Sequence, residues 1–162
     1  MFSRLLSPRL RQLEPRVISV KNVSQVQRLQ STLARFITCQ RGRIGISKAL
    51  QEPHWLPVKW RIYYKVATLT YKLLEFAEPA HLRSRITSKI FRRLLRYSVD
   101  DRHLEPCSSR TKIGSRAFRC AVPAIWSWLP YDNRAAPSVS IFPSRLKTHY
   151  FTFVFFNILL WF

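Results

Sequence analysis

The side chains whose types and spacing could do chemistry are the cations. Twenty-eight lysines and arginines, mostly arginine, stand against eight aspartates and glutamates, a formal charge of +20 over 162 residues. Such an excess repels itself in a compact chain and is relieved beside a polyanion. Each phosphate neutralised by Lys or Arg releases condensed counterions, so clusters of these residues are candidates for holding nucleic acid. Arg41 and Arg43 lie in the turn Arg41-Gly-Arg-Ile-Gly45. Arg85, Lys89, Arg92, Arg93 and Arg96 gather on one side when residues 82–96 are wound as a helix, with Ile86, Ile90, Phe91, Leu94 and Leu95 on the other. Arg110, Lys112 and Arg116 belong to a second basic turn. Arg61 and Lys65 complete the set, and an exposed Tyr63 or Tyr64 beside them is the aromatic best placed to stack on a base.

Other chemistries find little material. Few, scattered carboxylates leave little for acid–base or metal work, so composition argues for binding rather than catalysis. Cys39, Cys107 and Cys120 are odd in number and widely spaced, with no Cys-x-x-Cys, which writes neither a redox pair nor a zinc ribbon. His103 and Cys107 could share a helical face, but a structural zinc site needs four ligands. The thiols are therefore expected to be ordinary buried or free ones, in keeping with a reducing compartment. Gly42 and Gly45 lack the Gly-Lys-Ser/Thr ending of a P-loop and read as a turn. No cofactor, metal or small-molecule substrate is implied. His54 and Trp55, between Pro53 and Pro57, read as a structural corner, with Trp55 giving buried area and His54 a cap or backbone bond. Trp126 and Trp128 read as core.

These residues must be positioned by helices. Val26, Leu29, Leu33, Phe36 and Ile37 recur at helical spacing between Gln25, Gln27, Arg28, Ser31 and Arg35, with Ser24 as the expected N-cap. Pro57 opens the clearest helix, over residues 57–75: Val58, Ile62, Val66, Leu69 and Leu73 form its apolar stripe, with Lys59, Arg61, Lys65 and Lys72 away from it. Pro79 stops it, and the basic stretch 82–96 follows. Pro106 to Ser109 read as loop, and residues 115–128 as a helix broken at Pro123. Pro130 and Pro137 bound a further loop. Ser138 or Ser140 caps a last short helix carrying Phe142, Leu146 and Tyr150, with Pro143 tolerated only in its first turn. Strand signals are sparse, so the expected fold is mainly α: a small, irregular helical domain with Pro-rich loops.

The ends read differently. Residues 1–23 form a basic leader with Arg4, Arg9, Arg11, Arg16 and Lys21 against Glu14. Leu5, Leu6, Leu10 and Leu13 give it the look of a mitochondrial presequence, but Pro8 and Pro15 interrupt any helix, and an unordered leader is the simpler reading. Residues 152–162 make an apolar, aromatic tail, short of the roughly 20 residues that span a bilayer. It suits an interface, a terminal strand or an appended segment.

The order of the motifs carries a resemblance. His54-Trp-Leu-Pro-Val58, Arg61-Ile62, Lys65-Val66 and Leu69-Thr-Tyr-Lys72 closely resemble a stretch of LINE-type (non-LTR) retrotransposon reverse transcriptases, downstream of the polymerase palm. Val26-Gln-Arg-Leu-Gln30 with Ala34-Arg35 resembles the helix before it. Arg110-Thr-Lys-Ile-Gly-Ser-Arg-Ala-Phe118, Ala121, Pro123, Trp126 and Leu129-Pro130 resemble the next block. Arg134, Ala136-Pro-Ser138, Phe142, Ser144 and Leu146-Lys-Thr-His149 resemble its end. The likeness covers residues 24–151. It implies a piece of a larger right-hand polymerase fold, from the thumb-side, nucleic-acid-holding end, with the catalytic aspartates lying N-terminal to everything matched.

Tyr97-Ser-Val-Asp-Asp101 is similar to the Tyr-x-Asp-Asp polymerase motif but has one residue too many and sits in the wrong block. Two-metal chemistry would need a further carboxylate, so Asp100 and Asp101 read as a solvated turn. Pro53 and Pro143 depart from the family pattern, and the family region aligned with residues 92–109 resembles a Ser/Arg-rich loop, which competes with the basic helix. The expected function is a non-catalytic reverse-transcriptase remnant, nuclear or cytoplasmic, that binds RNA or single-stranded DNA through Arg and Lys. The rivals are a mitochondrial or membrane-surface protein built on the leader and tail, and a transposon relic with no selected function.

Overall fold

The computed structural model describes residues 19–39, 45–89, 102–111 and 113–156. They are mainly helical, as the sequence predicts, and among them no strand forms beyond one antiparallel bridge, Ser88 to Leu104. In chain order the helices are α1 (Val20–Ile37), α2 (Ile46–Gln51), α3 (Val58–Phe76), α4 (Ala80–Arg83), α5 (Phe118–Trp128), α6 (Tyr131–Arg134) and α7 (Ile141–Phe155), with a 3-10 turn at Gly114–Arg116.

The central helix is α3, which packs on α1, α5 and α7. It starts where Pro57 fixes the backbone, the Pro57 carbonyl accepting from the Trp60 and Arg61 N–H groups. It ends at Ala77, whose left-handed backbone (φ 57°) lets its N–H reach the Leu73 carbonyl. Of the expected apolar stripe, Leu73 is fully buried, and Val66 and Leu69 are half-buried against the core. The deepest line is instead Tyr63, Ala67, Thr70 and Tyr71. Tyr71 can lie there because its hydroxyl donates to the Ala136 carbonyl at 2.6 Å, while Thr70 donates back to Val66.

The terminal helix behaves as its spacing predicts. Phe142, Leu146 and Tyr150 are completely buried, Phe142 stacking on Tyr71 with centroids 4.3 Å apart. Ser138 Oγ accepts from the Ile141 N–H, and Pro143 falls in the first turn. The helix is longer than expected and continues through Phe155, so Val154 and Phe155 of the apolar tail are part of the core, beside Ala34, Ala49 and Leu50. Pro123 does not break α5. An interior proline costs about 3 kcal/mol. Burying Val122, Ile125 and Trp126 around it returns roughly 1.5–3 kcal/mol each, so the helix runs on to Trp128.

Helix α1 departs most from expectation. It begins at Val20, with Ser19 at the N-cap position; Ser24 lies inside, its hydroxyl donating to the Lys21 carbonyl. Val26, Leu29, Leu33, Phe36 and Ile37 face outward, while Gln27, Gln30 and Ala34 face the body. Gln30 is buried and donates to the Leu56 carbonyl at 2.8 Å, while Gln27 accepts the Val58 N–H at 2.9 Å and donates to Gln30. The first N–H groups of a helix have no partner within it, and Gln27 supplies one to α3 from outside. Satisfying those buried backbone groups decides which side of α1 meets the body.

The basic helix over 82–96 does not form as one element. After the single turn α4 and a turn at Ser84 and Arg85, residues 87–89 pair with the 103–105 segment, Lys89 N–H donating to the His103 carbonyl and Glu105 N–H to the Thr87 carbonyl. Ile86 and Leu104 are buried at this crossing, which holds the strand-like pairing in place. The cysteine reading also needs correction: Cys107 and Cys120 are joined in a disulfide, their Cα atoms 4.6 Å apart, and Cys39 is exposed and free. Sequence separation hid a pair that the loop and the start of α5 bring together. Bonded in this way, Cys107 is no thiolate ligand for a metal shared with His103.

Candidate nucleic-acid interface

Those of the expected site cations that are described fall on three separate segments. On α3, Arg61 and Lys65 are exposed one turn apart, and Lys72 continues the same line two turns on. At 1.5 Å per residue the line from Arg61 to Lys72 is about 16 Å long, and the helix beneath it is anchored in the core. Lys72, which its spacing already put on the side away from the apolar stripe, completes the line with Arg61 and Lys65. Lys59, nearby in sequence, is half-buried, with its Nζ over the rings of Trp60 and Tyr63 at 5.6 and 5.8 Å. It belongs to the packing more than to the surface.

Arg85 and Lys89 are exposed on the 84–89 segment, but the bridge geometry removes them from the shared helix face expected of them. Arg110 and Arg116 are exposed in the loop that the Cys107–Cys120 disulfide closes, joined there by exposed Arg119. That loop is internally bonded: the Gly114 N–H donates to Thr111 Oγ1, and the Ser115 N–H to the Thr111 carbonyl. A Cβ at Gly114 would collide with Ser109 Oγ and crowd Thr111 Oγ1, so a larger residue there would have to displace these hydroxyls and the Thr111 bond. Arg41, Arg43, Arg92, Arg93, Arg96 and Lys112 lie outside the described residues, as do Asp100 and Asp101.

Not every arginine is a surface cation. Arg134 is buried, its Nη1 beside His103 Nδ1 at 3.4 Å, and its carbonyl accepts from Arg102. Arg102 lies over the Tyr71 ring, and also pairs with Glu75 at 3.4 Å. These two arginines knit the 102–104 segment to α3 and α6. They are structural, and the charge count alone gave no means of separating them from the exposed ones.

The aromatic expectation reverses. Tyr63 is buried and Tyr64 is half-buried against the core, so neither is a stacking platform. Trp126 is completely buried, its Nε1 donating to the Arg102 carbonyl at 2.5 Å. Trp60, Trp128, Tyr150 and Phe153 form one interlocked cluster, with centroids 5.1–5.9 Å apart. His149 borders it, and burial lowers its pKa below the ordinary 6.5. Burial, and then the neighbouring Tyr63 phenol, pushes the Tyr150 hydroxyl far above its usual range. At the proline corner, Trp55 is half-buried with its N–H on the Leu50 carbonyl. His54 is exposed at φ 56°, its ring stacked on Phe151 and its Nδ1 3.2 Å from the Glu52 carbonyl.

Among the described residues no His, Cys, Asp and Glu side chains group to hold a metal ion, and no helix is long and apolar enough to cross a membrane. What the surface offers chemically is point charges on a helical platform and a closed basic loop. No protein-family model, curated protein or solved structure matches the chain.

Proposed function

We propose that this chain is a non-catalytic, sequence-tolerant binder of single-stranded RNA or DNA, descended from the thumb-side, post-palm segment of a LINE-type reverse transcriptase. The descent rests on the ordered sequence blocks between residues 24 and 151. The activity rests on one structural observation above all: Arg61, Lys65 and Lys72 form an exposed cationic line on the helix that the core holds most firmly. A fixed line of charges meets successive phosphates with little ordering cost, and phosphate contacts carry no base information. The disulfide-closed loop with Arg110, Arg116 and Arg119 adds a second cationic element. With Tyr63, Tyr64, Tyr71, Tyr150, Trp60, Trp126 and Trp128 engaged in the core, binding is dominated by charge rather than by base stacking.

The test is a titration of the purified chain against labelled single-stranded RNA over a range of salt. The expected result is a linear fall of log affinity with log salt, with mixed-sequence and homopolymer RNA bound within a few-fold of each other. Absence of binding at low salt would overturn the proposal.

A further inference from the structure

The outward side of α1 carries a second kind of surface. Val26, Leu29, Leu33 and Phe36 follow one another in steps of three and four, the a and d positions of two consecutive heptads, and Ile37 follows at an e position. These residues are between 50% and 80% exposed. The body grips α1 through Gln27, Gln30 and Ala34, at b and e positions, and so leaves the seam open. Charge on this side is absent. Gln25 and Thr32 occupy the g positions, Gln30 and Ile37 the e positions, while Lys21, Arg28 and Arg35 stand on the far side of the helix.

Those features narrow the occupant. Partner helices of different sequence are selected by charges at e and g, and α1 has none there. A polyanion would need cations on this face. A second copy of α1 brings the same uncharged seam and keeps its own arginines turned away. The residue sizes match when the copies run antiparallel: Val26 meets Phe36, small against large, and Leu29 meets Leu33, an equal pair. A parallel pair would set Phe36 against Phe36 and Val26 against Val26.

We propose that α1 is the interface of a two-fold homodimer, in which Val26, Leu29, Leu33 and Phe36 pair antiparallel with the same residues of a second copy. Two heptads bury less than the roughly 800 Å² per partner of a standard interface, and the overall charge of +20 opposes association, so the dimer depends on concentration. Salt screens that repulsion and leaves the apolar seam intact, so dimerisation strengthens as salt rises. Nucleic-acid binding weakens under the same change, which keeps the two proposals separately testable.

The experiment is sedimentation equilibrium of the full chain without nucleic acid, at several concentrations and salt levels, for the native sequence and for Leu29→Glu/Leu33→Glu. Both positions are exposed, so circular dichroism of the variant should match the native chain. The expected result is a monomer–dimer equilibrium that tightens with salt and weakens at least tenfold in the variant. A spin label on Cys39, free and exposed just beyond α1, adds the orientation. Antiparallel pairing puts the two labels about 24 Å apart or more along the helix axes. A chain that stays monomeric throughout, association that the double substitution leaves unchanged, or labels within about 15 Å of each other would overturn the proposal.

Discussion

Helices α1 and α7 both carry apolar residues at helical spacing and meet opposite fates. In α7, Phe142, Leu146 and Tyr150 are completely buried against α3 and α5, while in α1, Val26, Leu29, Leu33 and Phe36 stand half or more exposed. The difference lies in what each helix must satisfy. Helix α7 hides mostly apolar area, with the Tyr150 hydroxyl and His149 Nε2 buried beside it. Helix α1 lies over the start of α3, where the Leu56 carbonyl and the Val58 N–H need partners, and Gln30 and Gln27 supply them. A buried backbone group left unpaired costs about 1–3 kcal/mol, comparable with burying one large aliphatic side chain. Periodicity identifies a face; it does not say what the face meets.

The sharpest way to break that comparison is to remove the centre of the α7 environment. Trp126→Ala takes out a completely buried side chain and its bond to the Arg102 carbonyl, and should cost about 3–5 kcal/mol in denaturant unfolding. Next comes the paired test. Leu146→Ala should cost about 2–5 kcal/mol, whereas Leu33→Ala, measured at a concentration where the chain is monomeric, should stay within about 0.5 kcal/mol. Equal losses at the two leucines would mean that α1 buries its apolar side after all.

Gln30→Ala sharpens the same contrast from the polar side. It leaves the Leu56 carbonyl without its donor and should cost about 1–3 kcal/mol, more than the apolar substitution at Leu33. The smallest effect concerns pH. Burial lowers the His149 pKa, so the unfolded chain binds the proton more readily than the folded one. Stability is therefore full above about pH 6.5 and declines as pH falls below it, until the folded form also protonates. His149→Phe should flatten this limb of a thermal-unfolding profile; an unchanged limb would assign it to other groups.

Much of this architecture was legible before any coordinates. The mainly helical class, the start of α3 at Pro57, the buried triplet of α7 and the core position of Trp126 follow from spacing and proline placement. What was hidden depended on contacts distant in sequence. Gln27 and Gln30 look like a polar flank until α3 is placed beside them. Cys107 and Cys120 look unrelated until the loop folds back on α5. Arg85 and Lys89 wind readily into a helix on paper, but the backbone of 87–89 pairs with 103–105 once Ile86 and Leu104 are buried. For the candidate site, Arg61 and Lys65 were recognisable from charge and spacing alone. The structural roles of Arg102 and Arg134 were not, because a charge count cannot see which guanidinium is enclosed.

The most direct measurement is the salt dependence of single-stranded RNA binding by Arg61→Ala/Lys65→Ala/Lys72→Ala beside the native chain. All three residues are exposed, so the fold should be retained. For single strands each phosphate contact contributes about 0.7 to the slope of log affinity against log salt, so losing the line should lower that slope by about 2. A triple variant that binds with the native slope and affinity would contradict the central claim, because the exposed line on α3 would then hold no phosphates.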